Sequence, residues 1–200
     1  MKMSITTDSR VIRTKSLLKD ALLSLMLEKE YSEISVLEIA KRSTLNRATF
    51  YLHYYDKEEL LQSILKEELD KLNESLQMPA TEFKYLNSEP HPTFIRLFEQ
   101  MYRNPTFYKL MLADAKVPYF TKKVMDVLDR FVKAAIEFMV KDEIKFSVPV
   151  DLHIAYIKSA FLGVIIWWLE NDMQYTPKYM STQLTMVSTK GPFENNPYIH

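Results

Sequence analysis

Apolar residues recur at helical spacing along the first third of the chain. Leu18, Ala21, Leu22 and Leu25 fall three and four apart, and Ile12 extends that face back toward an Asp8-Ser9 start. The pattern predicts a first helix over about residues 8–29. In "YSEISVLEIAKR", Ser35 precedes Glu38 by three positions. At that spacing a serine hydroxyl can cap the glutamate amide while the carboxylate returns to the serine amide. A short helix over 36–42 follows, with Ile39 and Ala40 facing inward. Ser43, Thr44 and Leu45 separate it from Asn46, a second capping residue, which opens "RATFYLHY". Two short helices about a tight three-residue turn have helix-turn-helix spacing.

Asp56 and Glu59 repeat the capping pattern, and apolar residues at 60, 61, 64, 65, 69 and 72 predict a long amphipathic connector helix over 56–77. The period is lost across "MPATEFKYLNSEPHP", whose three prolines mark a loop. Beyond it, Asn104-Pro105 and Thr176-Pro177 each place a cap residue before proline at the first helical position, where its missing N–H costs nothing. Helices are expected over about 92–103, 105–115, 117–141, 150–173 and 177–189. The organisation is therefore a tail (1–8), a helix-turn-helix domain (9–57), the connector, a larger helical domain (78–190) and a second tail (191–200).

Composition sharpens this to an all-α fold of about nine helices. Only two of the 200 residues, Gly163 and Gly191, are glycine, too few for the corners of a sandwich or a doubly wound sheet. The absence of cysteine excludes disulfides and thiolate zinc sites, and "MKMSITTDSR" has no signal-peptide pattern, so a cytoplasmic location is expected. The longest apolar run, "AFLGVIIWWL", has ten residues against the ~20 of a bilayer span, which predicts a helix buried in protein and no membrane partner. Formal net charge is zero. Residues 1–57 nevertheless carry ten Lys or Arg against seven Asp or Glu, leaving +3 there and −3 in the remainder, a mild asymmetry that permits a nucleic-acid partner.

On a helix beginning after Asn46, Phe50 and Tyr54 share a face with Leu45, toward Ile39, Ala40 and the first helix, while Arg47 and Tyr51 are four apart on another. The outer group also holds Ala48, Thr49, Leu52 and His53. A bidentate donor beside small and methyl-bearing residues suits a major groove, where arginine reads guanine and Thr or Leu meets thymine methyls. Tyr51, His53 and Lys57 can hold phosphates on either side.

The segment "ISVLEIAKRSTLNRATFYLHYYDKEELL" resembles the DNA-binding signature of TetR-type bacterial transcriptional regulators, over roughly residues 9–66. The likeness lies in Ile39-Ala40, the three-residue turn, Thr49-Phe50-Tyr51, Tyr54 and Lys57-Glu58-Glu59-Leu60. It implies base contacts by Arg47, Ala48, Thr49 and Leu52, and phosphate contacts by Tyr51, His53, Lys57 and the Ser35 end of the second helix. One departure is Thr44, which stands where the family usually has glycine; a left-handed conformation there costs a branched residue about 1 kcal/mol.

"FYKLMLADAKVPYF" and "AFLGVIIWWLENDMQYTPKYMSTQL" are similar to the dimerisation and sensing domain of one group of these regulators, common in low-GC Gram-positive bacteria. The resemblance implies a homodimer on a palindromic double-stranded operator, with Ile165, Ile166, Trp168, Leu169, Met180 and Leu184 at the interface. Phe98, Met101, Phe107, Met111, Phe131, Phe138 and Trp167 are candidates to line a pocket for a largely apolar small-molecule effector. A methionine or aromatic residue at helical spacing is more often core. The expected function is a repressor released from DNA by that effector, and the alternative is a co-regulator that docks a partner protein instead. His91 and His153 sit in no ligand motif, and no nucleophile elbow or phosphate loop is present, so no metal, cofactor or enzymatic activity is expected.

Overall fold

The computed structural model describes residues 9–77, 90–141 and 145–191. The expected tail over 1–8, nearly all of the proline-bearing loop and residues 192–200 lie outside them. Nine α-helices and no strand occur among the described residues: α1 Ser9–Glu28, α2 Val36–Arg42, α3 Arg47–Tyr51, α4 Lys57–Ser75, α5 Pro92–Tyr102, α6 Pro105–Tyr108, α7 Pro118–Lys141, α8 Val150–Glu170 and α9 Pro177–Lys190. A 3-10 turn, Tyr31–Glu33, precedes α2, and a π-turn, Lys109–Ala113, continues α6. The expected helix over 105–115 is thus two pieces, because the backbone bonding widens after Tyr108, with the Asp114 amide donating to the Lys109 carbonyl at 2.9 Å. The chain divides into two compact units between Glu68 and Leu69, inside α4.

In the first unit α1 packs on α2 and α2 on α3. Leu18, Leu22, Met26, Ile39, Phe50, Leu60 and Ile64 form its interior, each at most 2% exposed. Ile12 lies outside that core, more than half exposed, because the inward stripe of α1 begins only at Leu18. One charged pair enters the interior: Lys19 Nζ lies 2.7 Å from the carboxylate of buried Glu68, tying α1 to α4. A paired carboxylate tolerates such burial where an isolated one would not.

The second unit packs α5 on α9, α7 on α8, and the π-turn against both α7 and α8. Its core is aromatic. Phe98 meets Trp168 edge-on with centroids 5.1 Å apart, Phe107 meets Phe120 at 5.2 Å, and Phe94 meets Phe161 at 5.2 Å. The Trp168 indole donates to the Tyr175 carbonyl at 2.9 Å, so the large ring is buried without stranding its N–H. By length and mean hydropathy alone α8 could span a bilayer, a measure that the run of ten missed. Its packing is that of an interior helix on one side, with Ile154, Phe161, Leu162, Ile165, Trp168 and Leu169 buried. The opposite side carries an exposed apolar stripe of Leu152, Tyr156 and Trp167.

Candidate nucleic-acid interface

The turn between α2 and α3 is built from backbone geometry. The Leu45 amide donates to the Ala40 carbonyl at 2.9 Å and the Thr44 amide to the Lys41 carbonyl at 3.1 Å, the crossed pair of bonds of a Schellman motif closing α2. That motif needs a left-handed residue just past the helix, and Thr44 supplies it with φ +60°. The Thr44 hydroxyl donates to the Ser43 carbonyl at 2.6 Å. Asn46 then caps α3, its side-chain oxygen accepting from both the amide and the hydroxyl of Thr49 at 2.7 and 3.0 Å.

α3 is shorter than the "RATFYLHY" stretch, so Leu52 caps its C-terminus and His53 lies beyond it. Phe50 and Tyr54 are buried, with their centroids 6.0 Å apart. Burial pushes the Tyr54 phenol up, against a hydrogen bond with Ser63 that pulls it down. Arg47, Ala48, Tyr51 and Leu52 are exposed, Leu52 at 80%, while Thr49 and His53 are half-buried. Arg47 lies along the Tyr51 ring, 5.7 Å from its centroid, and donates to the Tyr51 hydroxyl at 3.3 Å. The structure therefore brings the six residues expected at bases and nearby phosphates onto one short helix and the turn that follows it.

Ser35 and Lys57 are placed differently. The Ser35 hydroxyl accepts from the Glu38 amide at 3.2 Å and donates to the Glu38 carboxylate at 2.7 Å, completing the capping box. Lys29 and then Ser35 bond the Glu38 carboxylate and draw its pKa down to about 2. Lys57 Nζ donates to the carbonyls of Tyr31, Ser32 and Ile34 at 2.8, 3.1 and 2.7 Å, and lies 4.6 Å from the Tyr31 ring centroid. The hydroxyl of Ser35, which is exposed, and the ammonium of Lys57 are thus both bonded to groups of the protein itself. Sequence reasoning missed this lysine's partners because they lie 23 to 26 positions away. One signal was available: a cation as the first residue of α4 opposes the helix dipole, which favours a side chain that reaches elsewhere. It also missed the staple in which Arg42 binds the Glu28 carboxylate in bidentate fashion at 2.8 and 2.7 Å and donates to the Ser24 hydroxyl. That contact lowers the Glu28 carboxyl and raises the Arg42 guanidinium.

In the second unit, Phe98, Met101, Phe107 and Met111 are fully buried and Phe131 nearly so, packed as core. Phe138 is half-buried, and Trp167, also expected in a pocket, is 46% exposed. Five of the six residues expected at a dimer interface, Ile165, Trp168, Leu169, Met180 and Leu184, are buried within the chain itself, and Ile166 is half-buried. A sequence shows which helix is apolar all round; which side its own chain covers is a tertiary fact. A groove of about 260 Å³ runs between α8 and α9, walled by Val164, Trp167, Tyr179, Gln183 and Val187, with Tyr175 stacked between Trp167 and Tyr179 at 6.1 and 4.9 Å.

A helix-turn-helix with an outward third helix, joined to a second all-helical unit, is the architecture of a DNA-binding transcriptional regulator. Residues 18–64 match the bacterial regulatory proteins of the tetR family, and residues 88–190, half of the chain, match a transcriptional regulator C-terminal region. The chain belongs to the TetR family of transcriptional regulators. It is 24% identical over 177 residues to the uncharacterized HTH-type transcriptional regulator YxbF of Bacillus subtilis (strain 168), covering 88% of this chain and 44% of that protein. YuxN of the same organism, another uncharacterized HTH-type regulator, is 25% identical over 124 residues, covering 62% and 42%. The chain thus spans less than half the length of both. Among solved structures, the fatty acid degradation regulator FadR from Bacillus halodurans superposes with a TM-score of 0.64 at 17% identity, covering 89% of this chain and 95% of its own. FadR from Bacillus subtilis, solved in complex with stearoyl-CoA, gives 0.61 at 19% identity and covers 89% and 99%. The dihydroxyacetone kinase operon activator DhaS gives 0.59 at 18% identity and covers 90% and 97%. At these identities the likeness is one of fold.

Proposed function

We propose that this regulator is a homodimeric repressor that reads a palindromic operator through α3. The outward face of exposed Arg47, Ala48, Tyr51 and Leu52 with half-buried Thr49, held by the buried Phe50 and Tyr54, carries the reading. Arg47 supplies a bidentate donor for guanine, and Ala48, Thr49 and Leu52 supply contacts for thymine methyls. Tyr51 and His53 hold the flanking phosphates, and Tyr51 also steadies the guanidinium it stacks on. Two such helices enter major grooves about one helical turn apart, ~34–36 Å, which requires a second copy. The exposed stripe of Leu152, Tyr156 and Trp167 on α8, with Met186 and Val187 on α9, is the surface that a second copy covers.

Release by an apolar effector in the second unit belongs to the same proposal. Such a ligand acts by binding one state better than the other, and a shift of α4 is the route by which it reaches α3. Long-chain acyl-CoA is the class to test first, because a regulator of the same fold is solved with stearoyl-CoA. Footprinting on the DNA that flanks the gene tests the central reading. Protection of an inverted repeat overlapping the promoter supports a repressor, and uniform weak protection without a site contradicts sequence-specific binding.

A further inference from the structure

We infer that this regulator selects its operator chiefly by thymine methyl groups, with hydrogen bonds to a single guanine in each half-site, and that Leu52 is the principal methyl reader. The inference rests on the assignment of α3 to the major groove above, and it names the base chemistry which that helix selects. Four residues stand at bases there: Arg47, Ala48, Thr49 and Leu52. A base edge in the major groove is read by hydrogen bonds or by apolar contact with the C5-methyl of thymine. Which of the two a side chain performs depends on the atoms that the fold leaves it.

Ala48 offers only a methyl. A free threonine reads either way, but the Thr49 hydroxyl donates its one proton to Asn46 Oδ1 at 3.0 Å, and that oxygen also accepts from the Thr49 amide at 2.7 Å. With Oγ1 drawn back onto the cap, the Cγ2 methyl takes a staggered position away from it. The bond that starts the helix thus removes a donor from the reading face. Arg47 keeps its donors. One N–H goes to the Tyr51 hydroxyl at 3.3 Å, and a guanidinium has five. Held along the Tyr51 ring, its planar fork matches O6 and N7 of one guanine. Leu52 closes α3 as its C-cap and is 80% exposed, the most exposed leucine among the described residues. Its apolar surface leaves water only when a partner covers it. On a helix end directed into a major groove, the apolar groups that can do so are thymine methyls.

Uracil lacks that methyl, and 5-methylcytosine carries it at the same place on the groove edge. Operator duplexes found by footprinting, with each thymine in turn replaced by uracil in both half-sites, measure the methyl reading on the unaltered protein. The expected loss is about four-fold per methyl, the scale of burying one carbon, and about fifteen-fold for a symmetric pair, at two or more positions of each half-site. At those positions 5-methylcytosine should bind about fifteen-fold tighter than cytosine. Leu52→Ala, at an exposed position, should keep the wild-type melting temperature and lose the difference between thymine and uracil at one position per half-site, keeping it elsewhere. Replacing purines by their 7-deaza analogues, which lack the N7 acceptor, should weaken binding at one guanine per half-site alone. Equal binding of thymine and uracil duplexes at every position overturns the inference. So does a Leu52→Ala variant that weakens both duplexes alike, or a response to 7-deazapurines at several positions per half-site, which would make hydrogen bonds the main reading. If wild-type protein protects no specific DNA, the assignment of α3 fails and takes the inference with it, an outcome seen before any modified base is used.

Discussion

Replacing Thr44 by glycine stabilises the protein, although it deletes a side chain that makes a hydrogen bond. Thr44 occupies the left-handed position of the Schellman motif with φ +60°, a conformation that costs an L-residue about 1–2 kcal/mol. Glycine removes that cost but enlarges the freedom of the unfolded chain, a penalty of about 0.5–1 kcal/mol. The lost bond from the hydroxyl to the Ser43 carbonyl joins an exposed residue to its neighbour and is replaced by water at little cost. The balance favours Thr44→Gly by roughly 0.5–1 kcal/mol, or about 1–4 °C in melting temperature for a chain of this size. Thermal unfolding followed by circular dichroism, confirmed by urea midpoints, measures it. Thr44→Ala is the control: it keeps a β-carbon in the left-handed region, so most of the strain stays and the melting temperature moves little. A lower melting temperature for the glycine variant, or an equal gain for alanine, refutes the strain argument.

Three further outcomes follow from contacts already described. The Glu38 carboxyl is depressed from 4.5 to about 2 by Lys29 and Ser35, so its contribution to folding is present above about pH 4.5 and is lost as pH falls through about 2. An NMR titration of that carboxyl should place its midpoint near 2, and Glu38→Gln should remove this part of the acid sensitivity. Phe50 is fully buried at the junction of α3 with its neighbours, and Phe50→Ala should cost about 3–5 kcal/mol in chemical denaturation. Trp167→Glu places a charge in the exposed stripe of α8. Sedimentation should show a concentration-dependent shift from dimer toward monomer, with the melting temperature of the monomer little changed.

Much of this architecture was legible along the chain because its helices carry their punctuation. The Ser35–Glu38 box and the Thr176-Pro177 start are local chemistry and cap their helices as expected, whereas α6 begins at Pro105 with no side-chain cap bond from Asn104. The inward pair was equally legible, since Phe50 in α3 and Tyr54 just beyond it stand four apart and both turn to the core. What escaped was set by contacts distant in sequence. The Lys57 ammonium reaches back to Tyr31, Ser32 and Ile34, and the Arg42 staple reaches to Glu28 and Ser24, pairs that no periodicity links. The split of α8 into covered and open sides escaped for a related reason. Ile165 and Trp168 are as apolar as Trp167, and it is the packing of α5, α7 and the π-turn against one side of α8 that decides which of them is hidden.

Arg47 offers the most direct test of the DNA-reading face. Its guanidinium is exposed, lies on Tyr51 and supports no buried contact among the described residues, so Arg47→Ala should fold as wild type. Binding of both proteins to the footprinted operator and to variants at each position decides the question. The account predicts that Arg47→Ala loses about 1–3 kcal/mol of discrimination at one guanine per half-site and keeps its preference elsewhere. Unchanged affinity and unchanged preference at every position would show that α3 does not read the DNA through this face.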